Sequence, residues 1–285
     1  MKKTYIIAEI GINHNGCLIK AKRLIDIAAA AGCDAVKFQK RDPDSCVPDH
    51  QKDVVKNTPW GDMTYLEYRH KTEFGKKEYD EIDRYCKERK IKWAASAWDL
   101  TSLEFLLNYD TPFIKVPSAM LTNKSLLKAC ILGYVPQGKK IILSTGMSTE
   151  REIREAVSLL DENITVRSKA SYAILHCNST YPAPIKELNL SCIKTLKDTF
   201  SCEVGYSGHE FRIGTSVAAV YLGASIIERH ITLDRSMWGT DHLSSIEPQG
   251  FFKLVSGIKE LEKAFGDGET KVTETEEIAR KKLRG

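Results

Sequence analysis

Eight short runs of β-branched and apolar residues alternate with longer amphipathic stretches along this 285-residue chain, and that alternation constrains the fold more than any other feature. Strands that alternate with helices build a parallel sheet, because each parallel strand needs a crossover to return the chain to the same edge. The pattern predicts strands at 5–10, 35–39, 92–96, 113–116, 140–144, 172–176, 203–206 and 225–230. Helices fit the gaps at 19–31, 76–89, 101–107, 123–132, 149–160, 188–199, 211–222 and 248–265.

Each predicted strand ends in polar residues: Glu9, Lys37 with Gln39, Ser96, Lys115 with Ser118, Ser144, His176 with Asn178, Ser207 with His209, and Glu228 with His230. In a closed barrel all strand C-termini open on one face, so residues remote in sequence converge there. An open doubly wound sheet would place a Gly-rich nucleotide turn after its first strand, which GINHNG does not supply. The expected fold is therefore α/β, a single-domain (β/α)8 TIM barrel over residues 1–268. The stretch 41–72 holds three prolines and many charges and is too long for an ordinary loop, so it is expected to be elaborated and to lie over the pocket. Residues 269–285 form a charged tail, a short helix or a loosely held end.

Composition narrows the function. At 42% hydrophobic and 28% charged, a chain this long can bury a core without disulfide or metal staples. The net charge of +4 is spread along the sequence, so no basic stripe points to nucleic acid, and a small anionic ligand suits it equally. No apolar run reaches the roughly 20 residues that cross a bilayer. Eight cysteines without a CxxC pair, and an N-terminus running straight into a strand, predict reduced thiols and a cytoplasmic protein.

The polar ends support anion and metal chemistry. Two imidazoles on adjacent strands, His209 and His230, can share a divalent ion and leave positions open for water and substrate; the plainer alternative is a pair of hydrogen-bonded structural histidines. Glu9 could hold a hydroxyl or share a proton with a reacting centre, or simply be a carboxylate buried against a lysine. Lys37 and Lys115 would hold ammonium groups in the barrel mouth, with Ser96, Ser118, Ser144, Asn178 and Ser207 as donors around an anion. Helix starts after STGMST and GYSGHEFR add backbone N–H groups that favour anions. Cys177 follows His176 and so points to the opposite face of its strand, which makes it a packing residue here. Tyr181, beside polar Asn178 to Thr180, is the aromatic residue expected to meet a ligand.

The motifs IIAEIGINHNG, DAVKFQ, FIKVPSAM, ILSTGMST, LHCNSTYPAP, GYSGHE and IERHITLDR followed by GTDH resemble the N-acetylneuraminate (sialic acid) synthase family over most of residues 6–265. The resemblance implies a metal-dependent condensation. Phosphoenolpyruvate, an open-chain sugar aldehyde such as N-acetylmannosamine or a related amino-hexose, and water would give a sialic-type 2-keto acid and phosphate. It further implies catalytic roles for Glu9, Lys37, Lys115 and His230, and phosphoenolpyruvate contacts from Lys37, Ser96, Lys115, Ser118, Ser144, Asn178 and Ser207. Sugar contacts would come from Glu9, Tyr181 and Asp241, and His209 and His230 would hold Mn²⁺, or Mg²⁺ or Co²⁺. A homodimer is implied as well.

Two departures fall on the sugar side. Family members commonly carry SGE where this chain reads Ser118-Ala119-Met120, and most append an antifreeze-like lid domain, whereas this sequence stops at Gly285. An altered acceptor is one expectation, and a separate lid protein is another. The competing readings are an aldolase forming a Schiff base on Lys115 or Lys37, and a non-catalytic sugar-binding barrel.

Overall fold

The computed structural model describes residues 3–164 and 171–285. Its strands are β1 (Tyr5–Gly11), β2 (Ala35–Lys40), β3 (Val55–Thr58), β4 (Gly61–Thr64), β5 (Lys92–Ala97), β6 (Phe113–Val116), β7 (Lys140–Ser144), β8 (Ser171–Cys177), β9 (Glu203–Gly208) and β10 (Ile226–His230). Eight of them close a parallel barrel in the order β1, β2, β5, β6, β7, β8, β9, β10 and back to β1, while β3 and β4 form a separate antiparallel hairpin. The eight barrel strands are those predicted from the alternation.

Side chains alternate between the two faces of each strand, and here the two faces differ in chemistry. The outward set includes Ile6, Ala8, Val36, Phe38, Ile114, Val116, Ile141, Leu143 and Ile227, packed beneath the helices in the main core. The inward set changes character along the barrel axis. At the N-terminal end Ile7, Ala35, Ala94, Phe113, Ile142, Ala173 and Ile226 fill the interior as a second apolar cluster. Two residues further along the same faces come Glu9, Lys37, Ser96, Lys115, Ser144 and Glu228, all buried. The apolar plug thus forms the base on which the polar layer stands. Gly205 belongs to this interior, and a Cβ there would meet the Ile226 carbonyl oxygen and Leu175 Cδ2 at 2.5 Å each, so the barrel closes tightly at that point.

Differences from the expected boundaries have local causes. β9 runs on to Gly208 because Ser207 and Gly208 continue the ladder opposite Glu228 and Arg229. The helix expected at 188–199 begins only at Cys192, since Asn189 takes a positive φ of 44° that breaks a right-handed helix. The helix expected from 211 begins at Gly214, and the Arg212 carbonyl accepts a hydrogen bond from Arg229 instead.

The stretch after β2 folds into short helices Pro43–Cys46 and Asp49–Lys52, the β3–β4 hairpin, and helix Tyr65–Thr72. Trp60 and Tyr68 pack edge-on against Trp238, which seats this segment beside the barrel mouth; none of residues 42–72 lines the central pocket. The helix Glu274–Arg284 carries a Thr273–Glu276 capping box and buries none of its residues. No helix among the described residues is long and apolar enough to cross a membrane, and all eight cysteines are free thiols.

Candidate active site

A pocket opens at the C-terminal end of the barrel, where the inward-facing polar layer meets the loops. Period-two spacing brings its residues together: Lys37 and Gln39 from β2, Ser96 and then Trp98 from β5, Ser207 and then His209 from β9, and Glu228 and His230 from β10.

Two lysines lie at the floor. Lys37 Nζ donates to Ser96 Oγ at 2.8 Å and lies 2.7 Å from Glu9 Oε2 and 3.8 Å from Glu228 Oε1. Lys115 Nζ donates to Ser144 Oγ at 2.6 Å and lies 4.0 Å from the same Glu228 oxygen. Glu228 is therefore shared by both ammonium groups. Burial opposes its charge, but Lys115 and Lys37 together outweigh burial and hold its carboxyl below the ordinary range. Glu9 has Lys37 against it, and burial prevails there, pushing its carboxyl up to about 7. Burial lowers the Lys115 ammonium as well. Lys37 thus meets Glu9, the carboxylate-against-lysine alternative of the sequence reading, and both lysines face Glu228, to which that reading gave no role of its own.

Around this floor the backbone and hydroxyls of three loops converge. Ser118 Oγ accepts from the Gly146 N–H at 3.1 Å. A Cβ on Gly146 would overlap Ser179 Oγ and lie 2.8 Å from Ser118 Oγ, so glycine is needed for both hydroxyls to approach the backbone here.

The two histidines sit on the opposite wall, with ring centroids 5.4 Å apart. His209 Nδ1 is 2.6 Å from the Asn178 carbonyl oxygen and its Nε2 is 2.9 Å from the Tyr181 hydroxyl. If Nδ1–H donates to that carbonyl, the Nε2 lone pair is directed at Tyr181 and the pocket. His230 is buried and held neutral, its imidazole pushed down to about 3 chiefly by burial. Its Nδ1 has no hydrogen-bond partner and lies 3.8 Å from Asp241 Oδ2. Among the described residues no three His, Cys, Asp or Glu side chains form a ready-made metal cage. Two buried imidazoles with ring centroids 5.4 Å apart, both lining the pocket, do fit an ion that completes its shell with water and substrate oxygens.

Of the residues singled out in the sequence, Glu9, Lys37, Ser96, Lys115, Ser118, Ser144, Tyr181, Ser207, His209 and His230 all line this pocket. Two do not. The Asn178 side chain turns away, donating to the Glu187 carbonyl and accepting from the Thr180 N–H, and Ser179 takes its place in the wall. Asp241 stands behind His230 instead of in the lining. His176 likewise leaves the site, its Nε2 2.7 Å from the Leu188 carbonyl. Cys177, expected as packing, faces the pocket with its sulfur 3.8 Å from His209 Nδ1 and from Ser118 Oγ. Met120 packs against the outer core and Ala119 lines the pocket instead, so the thioether occupies no place in the wall.

Of the helix N-termini expected to cradle an anion, Glu150–Asp161 has its Glu152 N–H taken by the Thr149 hydroxyl in a capping box and carries Glu150 and Glu152 in its first turn, while Gly214–Tyr221 begins beside the buried Arg229, which donates to Ser216 Oγ. Glu228 and Gln39, which the sequence reading placed at strand ends without a role of their own, and Trp98, two residues beyond Ser96, were signalled by the same period-two spacing that marked their neighbours.

A family model described as the NeuB family matches residues 24–270. The chain is 41% identical over 290 residues to the N,N'-diacetyllegionaminic acid synthase of Campylobacter jejuni, covering 99% of this chain and 85% of that protein. It is also 41% identical over 257 residues to the N-acetylneuraminate-9-phosphate synthase of Drosophila melanogaster, covering 89% and 67% respectively. Among solved structures, the N-acetylneuraminic acid (sialic acid) synthetase of Leptospira borgpetersenii serovar Hardjo-bovis, in complex with citrate, has a TM-score of 0.85 and 34% identity over 99% of this chain and 93% of that one. A barrel with this polar floor, matched over nearly all of its length to named synthases, belongs to the NeuB family.

Proposed function

We propose that this pocket condenses phosphoenolpyruvate with an open-chain sugar aldehyde and water, giving a nonulosonic 2-keto acid and phosphate. The observation that carries the reading is the pair of buried ammonium groups, Lys37 and Lys115, each hydrogen-bonded to a serine at the barrel floor. Buried lysines persist where a charge partner is built in, and a ligand with both carboxylate and phosphate can exchange for those internal partners. Ser118, Ser179 and Ser207 add donors around the same space.

Carbon 3 of phosphoenolpyruvate attacks the aldehyde carbon, forming the new carbon–carbon bond while the aldehyde oxygen takes up a proton and becomes a hydroxyl. Water captures carbon 2 and releases a proton. The resulting tetrahedral carbon expels phosphate by carbon–oxygen cleavage and becomes the ketone. Lys37 and Lys115 stabilise the anionic phosphate as it leaves. Glu9, with a carboxyl pushed up to about 7, can carry a proton in either direction near neutrality. His209 and His230 would hold a divalent ion, Mn²⁺ in this reading, and such an ion supplies Lewis-acid polarisation of the aldehyde. Asn178, through its carbonyl, fixes the His209 tautomer, and Asp241 faces His230. The free cysteines and soluble-type barrel suit a reducing compartment, the cytoplasm.

The test is phosphate release from phosphoenolpyruvate with Mn²⁺, scanning N-acetylmannosamine, related amino-hexoses and plain aldoses, with His230→Ala as control. Acceptor-dependent release that disappears in the control is expected, and silence with every acceptor overturns the reading. The lowered Lys115 ammonium also suits an imine-forming lysine. Borohydride trapping of a sugar on Lys115 would establish that second reading.

A further inference from the structure

We infer that the buried Arg229–Glu210 ion pair is a positioning device for the two imidazoles, holding His209 and His230 at the separation that a shared divalent ion needs. The inference rests on the metal role proposed for those histidines and adds two residues that lie outside the pocket lining.

The strand ladder does not set that separation. Strands β9 and β10 run in register from Tyr206 opposite Ile227 to Gly208 opposite Arg229, so both histidines lie one residue past the last registered pair. His230 is still held from its other side, because it stands opposite Glu9 on β1 and its carbonyl accepts from the Ile246 N–H at 2.8 Å. His209 has left the sheet. Its carbonyl accepts from the Ala183 N–H at 3.1 Å and its Nδ1 lies 2.6 Å from the Asn178 carbonyl oxygen, and both contacts run to the loop after β8, away from β10.

Arg229 supplies the missing tie. From β10 its guanidinium donates to Glu210 Oε1 at 2.8 Å, to the Arg212 carbonyl at 3.0 Å and to Ser216 Oγ at 2.7 Å, and it also donates to the Glu210 carbonyl. The Glu210 carboxylate is completed by the hydroxyls of Tyr206, at 2.9 Å, and of Thr215. Gly208 leaves room for the pair, since a Cβ there would lie 2.7 Å from Glu210 Oε2 and 3.1 Å from Arg229 Cδ. Arg229 thus grips the residue after His209 by side chain and backbone alike, while its own backbone leads directly into His230.

Direction is what a charged pair contributes at this place. Replacing a buried ion pair by apolar residues of similar volume is often neutral for stability, so stability alone gives little reason for two fully buried charges. Charge-assisted bonds from one planar fork to a carboxylate, two carbonyls and a hydroxyl define a geometry that apolar packing does not. Functional side chains need placement to within about 0.5 Å, and losing the outer groups that orient metal ligands commonly weakens binding about 10–100-fold.

The test compares the wild type, His230→Ala and the double variant Glu210→Met with Arg229→Met, which keeps the net charge and strands no ion. Mn²⁺ affinity is read from the electron paramagnetic resonance signal of the free ion, and phosphoenolpyruvate affinity from calorimetry without metal. The double variant is expected to bind Mn²⁺ at least tenfold more weakly than the wild type, with its phosphoenolpyruvate Kd within threefold. Should the double variant not fold, Arg229→Lys takes its place, because it keeps the charge and loses the planar fork. Unchanged Mn²⁺ affinity overturns the inference and leaves the metal role standing, and so does a parallel loss of phosphoenolpyruvate affinity, which marks a general loosening of the barrel mouth. If the wild type binds Mn²⁺ no better than His230→Ala, the metal role itself fails. Crystal structures of the wild type and the variant then decide the positioning: a shift of about 0.5 Å or more between the two imidazoles upholds it, and an unchanged separation overturns it.

Discussion

The Arg229 guanidinium lies 2.8 Å from the Glu210 carboxylate with neither side chain exposed, on the outer face of strands whose inner face carries His209 and His230. Glu210 directly follows one histidine and Arg229 directly precedes the other, so the ion pair ties the two chain segments together behind the pocket. Ser216 Oγ accepts from Arg229 at 2.7 Å, and the Tyr206 hydroxyl donates to Glu210 at 2.9 Å.

Breaking that pair from one side strands a buried charge, which commonly costs about 3–5 kcal/mol, whereas replacing both partners by apolar groups costs far less. Glu210→Met and Arg229→Met are therefore each expected to destabilise the protein by roughly that amount, and the double variant to recover much of it. Urea denaturation of the two single variants and the double variant closes the cycle. Additivity within about 0.5 kcal/mol would show that the two groups do not act as a unit.

Gly146 gives a prediction that separates the site from the fold. Its backbone is outside the left-handed region, so alanine there is penalised only by space, and that space is held by Ser179 Oγ and Ser118 Oγ. Gly146→Ala should leave the circular dichroism spectrum unchanged while lowering kcat/KM for phosphoenolpyruvate at least tenfold. An unchanged kcat/KM would mean that the positions of the two serines do not matter to phosphoenolpyruvate.

Ser179 and Asn178 are neighbours with opposite orientations, one lining the pocket and the other bonded to Glu187 and Thr180. A hydrogen bond to a charged group contributes about 1.5–3 kcal/mol, so Ser179→Ala should raise KM for phosphoenolpyruvate by about tenfold or more. Asn178→Ala should lower the melting temperature with KM within threefold of wild type. The reverse ranking in steady-state kinetics would return the role to Asn178.

What the sequence made legible follows from period two. Within a strand, Ile7 fixes where Glu9 points and Ile226 fixes where Glu228 and His230 point, so the polar floor could be listed before any coordinates existed. The rule fails where strands end. Beyond Cys177 the chain bends into a loop, and neither spacing nor residue type decides between Asn178 and Ser179; loop hydrogen bonds to Glu187 and Thr180 do. Cys177 shows a different failure. The argument that it opposes His176 was correct, but it left unasked which of the two faces inward, and the inward one was the thiol. Asp241 lies beyond the last strand, and its place behind His230 depends on the 232–246 loop, which no periodicity describes.

His14 connects the GINHNG turn to stability against acid. Its ring stacks on Phe74 with centroids 3.8 Å apart, and Nδ1 accepts from the Gly16 N–H at 3.1 Å, an arrangement that requires the neutral imidazole. Burial pushes its folded-state value down to about 3, against an ordinary 6.5 in the unfolded chain. Between those values the unfolded state binds a proton that the folded state refuses. The stability contributed by this group is thus fully present above pH 6.5 and is lost as pH falls towards 3, at a limiting slope of about 1.4 kcal/mol per pH unit. His176, His230 and His242, also pushed down by burial, add slopes of the same sign. His14→Leu removes one of the four, so it should be less stable than wild type at pH 7.5 yet lose stability more slowly on acidification. Urea melts of both proteins at pH 7.5, 6.0 and 5.0 measure the two slopes, and parallel lines would mean that His14 is protonated in the folded state.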